Sequence, residues 1–87
     1  MNHELMIDGL PPSYSETQLN NLFSQFGKVL SASVLMDSTG RSLRMGKVTM
    51  STEEEAKKAK LALHRSNLSG NVLIVFPHDN DRQIRAV

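Results

Sequence analysis

Between Ser15 and Gly27 the chain carries a signal that admits few readings. Leu19, Leu22, Phe23 and Phe26 fall at i, i+3, i+4 and i+7. Apolar residues at that spacing form one stripe on a helix, and such a stripe needs a surface to bury against. Ser15 with Gln18 three residues later makes a capping box, which satisfies amides left orphaned at a helix start. Gly27 offers the left-handed residue that ends a helix. A second segment of the same kind opens with Thr52 and Glu55, runs to roughly Ser66, and turns Ala56, Ala59 and Leu63 inward. Glu53 to Glu55 precede Lys57, Lys58 and Lys60, the order that suits the helix dipole. With 87 residues and no Cys, the chain has disulfides, thiolate metal sites and a Cys nucleophile excluded, so it must stand on its hydrophobic core. The lack of Cys also fits a reducing intracellular setting.

Around the helices lie β-prone runs. Glu4 to Asp8 is stopped by Gly9 and the Pro11-Pro12 pair. Val29 to Met36 reads as a strand with Ala32, Val34 and Met36 on one face and Ser31, Ser33 and Leu35 on the other. Asp37-Ser-Thr-Gly40 is a hairpin turn, in which Gly40 takes a positive φ. Its partner strand runs from about Ser42 to Met50. Gly70 and Asn71 turn the chain into a last strand, Val72 to Phe76, which Pro77 ends. The order β-α-β-β-α-β predicts an α+β fold: a four-stranded antiparallel sheet with both helices packed on one face, the other face open. No repeat, low-complexity stretch or linker occurs before residue 77. Residues 79–87 read as a polar tail in which Ile84 and Val87 could fold back over the open face.

Composition removes several function classes. The longest apolar run, Val72 to Phe76, is far short of the ~20 residues that span a bilayer. The amino terminus lacks a basic segment followed by an apolar stretch, so an intracellular, non-secreted protein with no membrane role is expected. The formal charge of +1 is nearly neutral but unevenly spread: residues 1–27 hold three acids and no base, whereas 28–49 hold Lys28, Arg41, Arg44 and Lys47 against Asp37. His3, His64 and His78 share no metal-ligand spacing, and no paired carboxylates or phosphate-cradling loop occur. No enzyme activity, cofactor, metal or small-molecule substrate is therefore expected.

The same residues resemble the RNA recognition motif over 3–78. Leu5-Met6-Ile7-Asp8-Gly9-Leu10 stands at the family's first-strand signature, and Leu43-Arg44-Met45-Gly46-Lys47-Val48-Thr49-Met50 at its third-strand signature. The helix and turn from Leu19 to Val29 and the closing Leu68-x-Gly70-x-x-Leu73-x-Val75 also match. The segment from Asp37 to Arg44 is similar to the RNA-export-adaptor type of the family, and the overall length to its short stand-alone bacterial members. The resemblance implies a ferredoxin-like βαββαβ fold that takes single-stranded RNA on its open face by stacking bases on aromatics of the two central strands. At those three positions this chain has Met6, Met45 and Lys47. Its four rings, Tyr14, Phe23, Phe26 and Phe76, lie elsewhere.

Period-2 alternation places Glu4, Met6 and Asp8 on the open face of the first strand. Leu43, Met45, Lys47 and Thr49 follow on the third, Val72, Ile74 and Phe76 on the last, and Leu35 on the second. The expected nucleic-acid-binding set is Met6, Asp8, Arg41, Leu43, Arg44, Met45, Lys47 and Phe76. Met is adaptable enough to lie flat on a base, and Arg41 and Arg44 beside the hairpin suit phosphates. Lys47 suits a phosphate or base edge, or alternatively a cross-strand pair with Asp8 or Glu4. The same Met-rich apolar patch would equally serve a protein partner or self-association. Lys57, Lys58 and Lys60 read as a solvated helix face.

Overall fold

The structure, a computed structural model, describes residues 3–68 and 70–77. The elements run β1 (Glu4–Asp8), α1 (Glu16–Ser24), β2 (Val29–Met36), β3 (Ser42–Met50), α2 (Glu53–Leu63), β4 (Asn67–Leu68), β5 (Asn71–Val72) and β6 (Ile74–Pro77). Four of them form one antiparallel sheet in the order β2-β3-β1-β6, and β4 with β5 makes a separate small hairpin. The expected architecture is present. No helix among the described residues is long and apolar enough to cross a membrane.

Helix α1 begins as its sequence dictates. The Ser15 hydroxyl accepts the Gln18 N–H at 3.1 Å, and the Gln18 side chain accepts the Ser15 N–H at 2.8 Å. Its apolar stripe delivers Leu19 and Phe23, both fully buried, into the core. Inward residues of the sheet (Leu5, Ile7, Val34, Val48, Met50 and Val75) meet them there, together with Ala56, Ala59 and Leu63 of α2. Leu22 and Phe26 pack on the margin of this cluster. Both helices thus cover the same face. Truncating Phe23 to Ala would cost about 3–5 kcal/mol. Gly46 lets α1 approach the sheet: a Cβ there would lie 2.8 Å from Leu19 Cδ2 and 3.1 Å from the Ser33 carbonyl oxygen.

Several details depart from the sequence reading. Helix α1 ends at a right-handed Gln25 cap, and Gly27, at φ +157, is not in the helix-stopping left-handed conformation. Its bare Cα instead admits the side chain of Glu55, which a Cβ would strike. At the start of α2 the Thr52 hydroxyl accepts the Glu55 N–H at 3.1 Å. The Glu55 carboxylate itself accepts the Ser51 hydroxyl and the Lys28 N–H, tying α2 to the loop before β2. Helix α2 stops at Leu63 rather than Ser66, because His64 is extended and Arg65 takes φ +68.

The last strand is split. Val72 pairs with Asn67 in the small hairpin and does not join the four-stranded sheet, so it is not on the expected open face. Leu73 is the switch point, its N–H donating to the Ser66 carbonyl and its carbonyl accepting the Arg65 N–H. Met36, expected inward with Ala32 and Val34, is 59% exposed. The pairing is irregular at this end of the strand: Val34 pairs with Gly46 but Met36 pairs with Ser42, so β3 spends extra residues opposite Leu35. The tail, with Ile84 and Val87, lies outside the described residues.

Candidate nucleic-acid interface

The face of the sheet away from the helices is a grid set by strand register. One row crosses it as Ser33, Lys47, Met6 and Phe76, since Lys47 pairs with both Ser33 and Met6 and Met6 with Phe76. The next row holds Met45, Asp8 and Ile74. The row on the other side holds Ser31, Thr49 and Glu4. Five of the eight predicted site residues, Met6, Asp8, Met45, Lys47 and Phe76, are therefore neighbours on two adjacent rows. Met6 stands at the centre, half-buried between the Lys47 cation and the Phe76 ring. Phe76 is 40% exposed and Ile74 38%.

The charges on this surface are partly spent on each other. Lys47 Nζ lies 3.6 Å from Glu4 Oε2, which selects Glu4 over Asp8 as its cross-strand partner. Side-chain exposures of 43% and 29% place the pair in the range worth roughly 0.2–1 kcal/mol. Asp8 is exposed, and its Oδ1 accepts the Gly9 N–H at 2.8 Å.

The three remaining predicted residues belong to the β2–β3 hairpin and the bulge beneath it. Arg41 is exposed beyond the turn, its N–H held by Asp37. Asp37 Oδ1 also accepts the Thr39 N–H and hydroxyl, at 2.9 and 2.7 Å. The Thr39 hydroxyl first, then the Arg41 and Thr39 amides, hold its carboxyl below the usual range. Gly40 takes φ +86 as the turn requires. Leu43 is 49% exposed. Arg44 adopts φ +61, a left-handed conformation that ordinarily costs a non-glycine residue about 1–3 kcal/mol.

That bulge turns Arg44 toward the end of β1. Its carbonyl accepts both the Gly9 and Leu10 N–H groups, at 3.1 and 3.0 Å. Its guanidinium donates Nε to the Leu10 carbonyl at 3.1 Å and Nη2 to Asn71 Oδ1 at 3.0 Å. Two of its donors are thus committed to the protein, which a reading by strand alternation does not show. Asn71, which the sequence marks only as a turn residue, meets Arg44 from 27 positions away. Ser33 stands on this face beside Lys47, as strand alternation predicts.

Comparison with known proteins agrees with this geometry. The family model described as RNA recognition motif matches residues 5–74. The chain is 40% identical over 78 residues to human scaffold attachment factor B2, covering 88% of this chain and 8% of that protein. It is 43% identical over 70 residues to the chloroplastic 28 kDa ribonucleoprotein of Spinacia oleracea, covering 79% of this chain and 30% of that protein. The chain therefore spans only a small part of the curated relatives it matches. Among solved structures, that of RNA binding protein PG1 superposes with a TM-score of 0.84 at 34% identity, covering 87% of this chain and 93% of the other. A Sxl-lethal protein/RNA complex superposes with a TM-score of 0.80 at 28% identity, covering 85% and 46%.

Proposed function

The chain belongs to the RNA recognition motif family, and on that footing we propose that it binds single-stranded RNA on its outer sheet face with modest affinity. The observation that carries this reading is the row Lys47, Met6, Phe76 across the two central strands and the β6 edge. A base lying on Met6 has a cation on one side and a ring on the other. Met45 and Ile74 extend the apolar floor by one row. Arg41 at the hairpin supplies a phosphate contact, Lys47 is held by Glu4, and Leu43 borders the strand's exit. Arg44 acts chiefly by holding the end of β1 against β3 and the small hairpin. The relatives, among them a ribonucleoprotein, an RNA binding protein and a protein/RNA complex, support the same ligand.

Modest affinity follows from the side chains. Base–aromatic stacking is worth roughly 1–3 kcal/mol per base, and the two central strands offer Met and Lys where rings would stand. Phosphate contacts are few, because Glu4 already partners Lys47. Equilibrium titration of a short labelled single-stranded RNA across a salt series tests the reading. Binding that weakens on adding salt with a shallow slope supports it, and no binding at low salt removes it.

A second reading is favoured by exposed apolar side chains on and beside the same face, Leu43, Ile74 and Phe76. They suit a protein partner or a second copy of the chain. Sedimentation at varied concentration separates the two: a concentration-dependent dimer that RNA does not dissociate favours the second.

A further inference from the structure

We infer that Asp8 sets base preference on this face, selecting bases that present N–H donors on their Watson–Crick edge, guanine foremost, over uracil; this rests on the RNA-binding reading above. Asp8 occupies the row next to Met6, with Met45 across β3 and Ile74 across β6. Of the acids that the register puts on the face, Glu4 is taken up by Lys47 at 3.6 Å, whereas Asp8 stands exposed among apolar neighbours. A carboxylate only accepts hydrogen bonds, and it repels phosphate, so what it can receive from a bound strand is a ribose 2′-hydroxyl or a base-edge N–H, and only the second distinguishes one base from another.

The group is also held in place. Asp8 Oδ1 accepts the Gly9 N–H at 2.8 Å. Gly9 is itself fixed at φ +90, donates to the Arg44 carbonyl, and packs so closely that a Cβ would collide with the Val72 carbonyl oxygen. The carboxylate is thus pre-oriented, which lowers the entropy lost on contact with a base. Guanine offers N1–H and N2–H side by side, a match to two carboxylate oxygens. Cytosine and adenine each offer one amino group beside a ring acceptor. Uracil offers one N–H between two carbonyls, which a carboxylate repels. The expected order is guanine, then cytosine and adenine, then uracil.

The test compares hexaribonucleotides of uridine alone and of uridine alternating with cytidine, adenosine or guanosine. The native chain should bind the guanosine-containing strand roughly tenfold tighter than all-uridine. Asp8→Asn keeps an acceptor for the Gly9 N–H, adds donors and removes a negative charge. The all-uridine strand should then bind tighter, while the guanosine strand loses the two-oxygen match, so that the spread between strands falls to about twofold or less. Equal affinities for all four strands in the native chain, or an unchanged order in Asp8→Asn, would overturn the inference while leaving RNA binding standing. Failure of the native chain to bind any strand would instead overturn the RNA-binding reading, and this inference with it.

Discussion

Lys47 Nζ sits 3.6 Å from the Glu4 carboxylate, so the one lysine on the outer face of β3 is already neutralised before any ligand arrives. Removing Glu4's charge should release it. Glu4→Gln is expected to raise RNA affinity at low salt and to steepen the dependence of log K on log salt by about 0.7, the increment for one added contact to a single strand. The fold should lose no more than about 1 kcal/mol, because the pair is largely solvated. Titrations at several salt concentrations measure both quantities, and an unchanged slope would mean that Lys47 does not meet phosphate.

Met6 and Met45 occupy places where a ring would stack a base. Met6→Phe and Met45→Phe should each strengthen RNA binding, by about 1–3 kcal/mol for each base that gains a stacking partner. Calorimetry would register this as a more favourable enthalpy with unchanged stoichiometry. A loss of affinity in both variants would mean that the strand does not lie over the central rows.

Arg44 predicts an ordering of variants. Arg44→Ala loses the bonds to the Leu10 carbonyl and Asn71 while keeping the left-handed backbone, and should destabilise the fold by about 1–3 kcal/mol. Arg44→Gly loses the same side chain but relaxes φ +61, so it should be the more stable of the two by roughly 0.5–1 kcal/mol. Urea unfolding decides it. The reverse order would mean that the bulge does not persist in solution.

Acid should weaken the β2–β3 turn and the start of α2. The Thr39 hydroxyl and neighbouring amides lower the Asp37 carboxyl, and the Ser51 hydroxyl with the Lys28 N–H lowers that of Glu55. A carboxyl lowered by folding contributes stability that is present above its unfolded pKa and lost as pH falls through the folded one. Stability should therefore fall as pH drops through and below the ordinary carboxylate range. In Asp37→Asn and Glu55→Gln the slope should be shallower. Thermal unfolding followed from neutral to acid pH would show it, and parallel curves for native and variant chains would contradict it.

What was legible in the sequence was what neighbours in the chain decide. Ser15 and Gln18 are three residues apart, so the α1 cap could be read directly, and so could the Leu19–Phe23 stripe and the Gly40 turn. Alternation in β1 located Met6 and Asp8 correctly, because that strand is regular along its whole length. The bulge in β3 was not legible. Nothing in Leu43-Arg44-Met45 announces a left-handed arginine, and its consequence, a guanidinium bound to Leu10 and Asn71, depends on contacts 27 and 34 residues apart. The division of the last strand at Leu73 likewise depends on Ser66 and Arg65 reaching back to it. Gly27 carried a real constraint, though of a different kind: it makes room for Glu55 rather than closing α1.

On the reading proposed above, RNA lies across the middle rows of the outer sheet face. Following backbone amide shifts while a short single-stranded RNA is added at low salt tests it most directly. Saturable shifts are expected, centred on Met6, Met45, Lys47 and Phe76, with the outward sides of α1 and α2 unmoved. Shifts confined to the helices, or none at Met6, Met45 and Lys47, would contradict it.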